Sequence, residues 1–410
     1  MSKSVNYFDV FVPGGFPKYT YNSRESLALE EKVGSVLENL CKLAIVTGHT
    51  KSGKTVLVQK ILPRDNAIWI DGGAIGDEND FWTYIIDQLG LFQVMETEST
   101  EGTHAELSGE ASAEGGALIA KAKGSIGSKI GANEEKATSY SREITPRVTA
   151  LSGLRKSRVP LVIDDFHYLP KGLQGNIIRA LKPLVFEGIP VVVIAIPHRR
   201  YDAVKVEKEM TGRILPVNIP IWKDDELQYI PKTGFHVLNI DVDYKTVERL
   251  AKESIGSPHL MQEFCREICK IDSFDLENIF KTSAETIGRP IFEKLARGPR
   301  SHSDRKQRKL KSGQKVDIYG LVLHGLSNIK PGLITLEYED LRAAIKEICI
   351  QDDIPNVQEV ARVLKHMAQI AATDQSSTPV IDFDEEEKRL HITDPFFAFY
   401  LRWGDISISR

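Results

Sequence analysis

The chain has 410 residues, 41% of them hydrophobic and 27% charged, with a formal net charge of -4. That length exceeds what one hydrophobic core usually supports, so two or three domains are expected. The composition is that of a soluble globular protein. The near-balanced charge excludes a whole-molecule field that draws in nucleic acid or membrane, which leaves such binding to local patches.

The opening MSKSVNYFDVFVPGG lacks the apolar run of a signal peptide, and the longest apolar stretch, 189–196, is too short to span a bilayer. A cytoplasmic protein without membrane contact is expected. After an extended lead-in, residues 26–41 read as a helix. Residues 43–47 form a short apolar strand, 48–55 a glycine-rich loop and 55–61 a helix. A second strand follows at 67–71 and an amphipathic helix at 81–89. Composition then shifts: about 96–142 is rich in small and polar residues, an insertion that reads as a mobile loop or as a flap ordering on a partner.

Beyond Pro146 the pattern alternates. Helices are expected at 146–157, 173–187 and 200–211, and strands at 160–164, 190–196 and 214–221. Continuously apolar strands alternating with helices predict an α/β domain over 1–222, a parallel sheet with helices on both faces. A helical lid is expected over 223–295, with helices at 225–233, 244–253, 258–271 and 276–292. Residues 296–315 form a basic linker, eight Lys or Arg against one Asp. The segment 316–410 runs helix (318–326), helix (338–348), helix (357–371), β-hairpin (380–383 with 390–393) and aromatic tail. Those are the parts of a winged helix-turn-helix.

The four cysteines are Cys41, Cys265, Cys269 and Cys349. Cys265 and Cys269 sit one helical turn apart, a metal pair or, with no second pair at finger spacing, two buried thiols.

The loop GHTKSGKT fits G-x-x-x-x-G-K-T between a strand and a helix, the context a phosphate loop requires. Gly48 and Gly53 let the backbone curl, so that His49, Thr50, Lys51, Ser52 and the amides up to Val56 face a phosphate chain. Lys54 is expected on the β and γ phosphates and Thr55 on Mg²⁺. The strand LVIDD supplies Asp164 for the Mg²⁺ hydration shell and Asp165 to orient or deprotonate the attacking water; a helix N-cap is the other use of such a pair. Neither D-x-x-G nor N-K-x-D accompanies them, so ATP is preferred over GTP.

The order P-loop, strand, helix, D-D strand, helix, strand, helix, strand, helical lid and winged helix, over about residues 21–403, resembles the AAA+ and STAND ATPases. Within them it is similar to the origin-recognition, TniB-type transposition and archaeal-type ATPases. The resemblance implies an ATP-hydrolysing switch that forms a homo-oligomer and binds DNA or a protein effector, in a mobile-element or phage-defence setting. It also places Tyr21 and Arg24 near the adenine or hinge, where an ordinary helix start is the alternative. His198 falls at the γ-phosphate sensor. Arg213 falls where an arginine finger reaches a neighbouring subunit, with a helix C-terminal cation as the alternative. Pro258 falls in the lid motif (GSPH), without the lid arginine common in AAA+ proteins.

Two surfaces compete for a polyanion. The third C-terminal helix carries Arg362, Lys365 and His366, but Glu337, Glu339, Asp340, Asp382 and Asp384 surround it in sequence, which suits a protein-binding or lid element. The stretch between Arg297 and Lys315 is the stronger DNA candidate, or else a solvated linker. Asp165, being Asp and not Glu, keeps open a nucleotide-binding scaffold with little hydrolysis and no DNA binding.

Overall fold

The structure is a computed structural model. It describes residues 5–38, 41–91, 145–196, 210, 212–270, 275–297, 307–309, 315–332, 335–349, 354–373, 380–385 and 387–406. The expected insertion at 96–142 and nearly all of the helix expected at 200–211 lie outside these residues.

The chain divides into two compact units. The sheet unit holds residues 28–47 and 57–218; the C-terminal unit holds 1–27, 48–56 and 219–410. This grouping places the glycine-rich loop and the N-terminal segment with the helical part. Its physical cause is the set of contacts those segments make, described below.

The sheet unit is built on β1 (Leu43–Gly48), β2 (Ile68–Asp71), β3 (Leu161–Asp164), β4 (Val191–Ala195) and β5 (Ile214–Ile219), in the order β2-β3-β4-β1-β5. The pairs β1–β4, β3–β4 and β2–β3 are parallel. Every residue of β1 and β4 is buried, because helices cover both faces and an alternating pattern has no solvent face to serve. Ile45 and Ile163 both pair with Val193, so β1 and β3 run out at the same carboxyl edge.

The helix expected at 26–41 is broken. Ala28 adopts a left-handed φ of 49°, leaving a 3₁₀ turn at Glu25–Leu27, helix α1 at Leu29–Gly34 and a second 3₁₀ turn at Ser35–Glu38. Helix α2 (Lys54–Ile61) follows the loop. Helix α3 (Glu78–Gln88) starts three residues earlier than its apolar pattern suggested, because the Asp77 carboxylate accepts from Asp80 N at 2.9 Å and caps it. Helices α4 (Pro146–Ser157) and α5 (Lys171–Phe186) complete the unit. Its core runs through Ile45, Ile70, Phe81, Trp82, Ile163 and Val193.

In the C-terminal unit the helix expected at 225–233 is two helices, α6 (Asp224–Leu227) and α7 (Tyr229–Val237). Then come α8 (Tyr244–Glu253), α9 (Pro258–Ile268), α10 (Leu276–Ser283) and α11 (Arg289–Arg297), the last two joined by a π-helical turn. Phe11 from the N-terminal segment packs into their core with Phe264, Phe280 and Phe399, and Gln262 holds the same segment through Val12 N and Thr20 Oγ1 at 3.1 and 2.6 Å. Cys265 lies inside this core, and burial pushes its thiol well above the usual cysteine range.

The basic stretch holds a short strand pair. Strands β6 (Gln307–Lys309) and β7 (Lys315–Asp317) pair antiparallel across it, and most of its other residues lie outside the described set. After it come α12 (Ile318–Ile329), β8 (Thr335–Glu337), α13 (Tyr338–Ile348), α14 (Val357–Thr373), β9 (Ile381–Asp384), β10 (Arg389–Ile392) and α15 (Pro395–Trp403). Strand β8 had no counterpart among the expected elements. It pairs with β10, making a three-stranded antiparallel sheet of order β8-β10-β9. Tyr319, Leu323, Leu341, Leu364 and Phe397 fill a separate core.

Candidate functional site

The glycine-rich loop leaves β1 with two left-handed residues, Lys51 at φ 59° and Gly53 at φ 90°. A Cβ at Gly48 would lie 2.7 Å from Ser52 Oγ and 3.1 Å from Ile219 Cβ, so only glycine lets the loop close on itself there. Beside Gly53 nothing lies within 4 Å of a built Cβ, and that face is open. Helix α2 begins at Lys54, and the amides of its first turn have no partner within the helix.

The Lys54 side chain is only 8% exposed, and its Nζ donates to Gly48 O at 3.0 Å and His49 O at 2.8 Å. Thr50 Oγ1 and Ser52 Oγ are buried with no hydrogen-bond partner. A buried hydroxyl without a partner costs about 1–3 kcal/mol. Two such hydroxyls, one sequestered ammonium and a helix N-terminus on one open loop form a donor set that fits a phosphate chain. Thr55, the next residue of α2, is half-buried.

The carboxylates end β3 in the sheet unit. Both Asp164 and Asp165 are half-buried, and Asp165 N donates to Asp164 Oδ1 at 2.9 Å. Asp165 has a left-handed φ of 49°, which turns the chain sharply off the strand. Asp71 stands opposite Asp164 in the register, and its own carboxylate accepts from Gly73 N at 2.9 Å. Among the described residues no group of three or more His, Cys, Asp or Glu is placed to hold a metal unaided. Mg²⁺ commonly takes one or two carboxylates and keeps several waters, so the donor chemistry of Asp164 and Asp165 is compatible with it.

The remaining expected residues scatter. Tyr21 stacks on Phe16, with centroids 6.2 Å apart. Arg24 turns to the start of the lid: its guanidinium donates to Pro220 O at 3.0 Å and Glu226 Oε2 at 2.7 Å and lies 4.7 Å from the Trp222 ring. Trp222 in turn donates its indole N–H to Ser52 O at 2.9 Å. Arg24 therefore braces the tryptophan that holds the loop. Arg24→Ala removes the cation from a largely buried Glu226 carboxylate, whose Oε2 also accepts from Lys223 N at 2.8 Å, and a loss of about 3 kcal/mol is expected in urea unfolding.

Pro258 is the first residue of α9, where Ser257 Oγ caps Leu260 N at 3.4 Å. The next residue, His259, packs edge-on against Phe396, with centroids 4.9 Å apart. Burial, with the Lys51 charge adding to it, pushes the His259 pKa down to about 4, so this ring is neutral at pH 7. Arg213 sits with its guanidinium 3.4 Å from the Phe186 ring centroid, and its carbonyl accepts from Leu43 N at 2.9 Å. His198 lies outside the described residues. Trp222, Glu226 and Phe396 belong to no sequence motif; an aromatic right after β5, and a D-P-F-F run after the hairpin, were the only signals for them.

No family model matches the chain. It is similar to the Walker-type ATPase of Pyrococcus abyssi, with a TM-score of 0.58 and 16% identity, over 97% of this chain and 99% of that one. The ORC1 protein of Aeropyrum pernix in complex with DNA aligns at a TM-score of 0.47 and 13% identity, over 97% of this chain and 96% of that one. Among curated proteins, the RuvB subunit of the Holliday junction branch migration complex of Phytoplasma mali is 28% identical over 136 residues, which is 30% of this chain. That match spans 40% of the RuvB subunit. Among the described residues no helix is long and apolar enough to cross a membrane. A parallel sheet in the order β2-β3-β4-β1-β5, a glycine-rich loop between β1 and α2 and a helical C-terminal region give this chain the α/β fold of the P-loop NTPases.

Proposed function

We propose that this chain binds ATP with Mg²⁺ on the loop 48–56 and hydrolyses it to ADP and phosphate. The observation that carries the reading is the buried, partnerless pair of hydroxyls on Thr50 and Ser52 beside the sequestered Lys54 ammonium. Phosphate oxygens satisfy both hydroxyls and accept from Lys54. Thr55 Oγ1 and Asp164 would hold the Mg²⁺, which supplies charge neutralisation on the β and γ phosphates when bound. Asp165, which leaves the strand with a left-handed backbone, would orient the attacking water.

Asp164→Asn is expected to keep nucleotide binding within a few-fold while Mg²⁺-dependent phosphate release drops by about 100-fold or more. Both are read on the full chain, with GTP as the competing nucleotide. Equal turnover by the variant removes Asp164 from the site.

The output of the cycle we read as a change in partner affinity of the C-terminal module, a winged helix by its helix, strand, helix, helix, hairpin order. A protein effector suits that module better than DNA does, because several of its cations are taken up internally. Lys365 pairs with Glu385 at 2.7 Å, Arg342 with Glu339 at 3.1 Å, and Arg389 with Glu337 and Glu387 at 3.0 and 2.9 Å. DNA binding we assign to the basic stretch 297–315, on its eight Lys or Arg against one Asp. The homo-oligomer is proposed on the resemblance to the AAA+ ATPases. Arg213 as a finger within it has the weaker support, since its guanidinium already packs on Phe186.

A further inference from the structure

The crest of the phosphate loop touches the C-terminal helix. Lys51 Nζ lies 5.5 Å from the centroid of the Phe396 ring, within the roughly 6 Å reach of a cation–π contact. The same ring receives the edge of His259 at 4.9 Å and 68°. Phe396 is fixed in place by Asp394, whose Oδ1 accepts from Phe396 N and Phe397 N, both at 2.9 Å. Asp394 is 6% exposed, and burial raises its carboxyl above the usual range, while the Phe397 N–H and then the Lys51 ammonium act in favour of the ionised form.

Lys51 holds this contact from a left-handed backbone, φ 59°, a conformation that costs a residue other than glycine about 1–2 kcal/mol. The far end of the same helix is tied to the lid, where Glu253 on α8 accepts from Arg402 at 3.1 Å and Trp403 at 2.8 Å. Helix α15 thus bridges two points: the phosphate loop at its start and α8 at its end.

We propose that the Lys51–Phe396 contact is a nucleotide-sensitive latch, in which bound phosphate competes with the Phe396 ring for the Lys51 ammonium. The inference rests on the assignment of the loop to ATP. A triphosphate offers that ammonium a far stronger partner than a neutral ring does. When Lys51 turns to it, Phe396 and Asp394 lose their cation, and the first turn of α15 loosens. Linkage makes the effect reciprocal: whatever loosens the latch tightens ATP.

The test uses the full chain, with hydrogen exchange of the 394–403 segment and titration of a fluorescent ATP analogue. Saturating ATP with Mg²⁺ is expected to speed exchange of amides 396–400 about 3–10-fold, and Phe396→Leu, which keeps the apolar bulk and removes the ring, to bind the analogue about 3–10-fold more tightly. Saturable binding with unchanged or slowed exchange, or with Phe396→Leu no tighter than the parent, overturns the latch and leaves the ATP site standing. Absence of saturable binding by the parent chain overturns both. Lys51→Gly covers a Phe396→Leu that fails to fold: it suits the left-handed backbone and lacks the ammonium. Its 396–400 exchange is expected to be fast without ATP and to gain nothing on ATP addition, and a retained response overturns the latch.

Discussion

Lys54→Ala is expected to weaken ATP binding by about 100-fold or more and to bring phosphate release down to background. The ammonium is almost fully withdrawn from solvent and sits between the carbonyls of Gly48 and His49. In that position it is already desolvated and held on the loop, which lowers the cost of gathering charge around a triphosphate. Truncation removes the cation and leaves two loop carbonyls without their donor, so a modest loss of stability accompanies the loss of affinity. Lys54→Arg separates charge from shape: the wider, planar guanidinium does not match a pocket made for a compact ammonium, and little activity is expected to return. Fluorescence titration and a phosphate-release assay read both variants. Wild-type turnover by Lys54→Ala would sink the assignment of the loop as the ATP site.

The second large effect is expected at a residue with no chemistry of its own. Gly72 follows β2, and a Cβ there would lie 2.5 Å from the Asp165 carbonyl oxygen, 3.1 Å from its carbon and 3.2 Å from the Asp164 carbonyl oxygen. These are backbone atoms that cannot rotate away, so Gly72→Ala must push the end of β3 off its register with β2. A loss of about 1–3 kcal/mol is expected in urea unfolding, as for other overpacked sites. Catalysis is expected to suffer more than stability, since the displaced atoms carry the two carboxylates. Nucleotide affinity, set by the loop 48–56, is expected to change much less than turnover. A Gly72→Ala chain with parental turnover shows instead that the acidic edge adapts without penalty.

The backbone of the glycine-rich loop and the acidic strand were legible because each is short, local and sterically constrained. Gly48 and Gly53 sit where a side chain clashes or the backbone turns left-handed, and Lys54 and Thr55 open a helix at a position the pattern predicts. The strands were equally readable, because burial on both faces leaves a continuous apolar run such as VVVIA. Helix starts were less so: the Asp77 cap moved α3 back by one turn from its first large apolar residue. Ala28 broke the first helix through a left-handed backbone that no propensity favours for alanine.

Length, composition and the two motifs together determined, from the sequence by itself, an α/β nucleotide fold with a helical C-terminal part, since periodicity and phosphate chemistry act over a few residues. Only the tertiary structure decided what that loop leans on. Arg24 went to Glu226 and Trp222, and Arg213 went to Phe186. Lys51 met Phe396 from across more than three hundred positions of chain. Cations and aromatic faces carry no partner address in sequence. Packing brings them within reach, and the low dielectric of the interior then makes each pairing count.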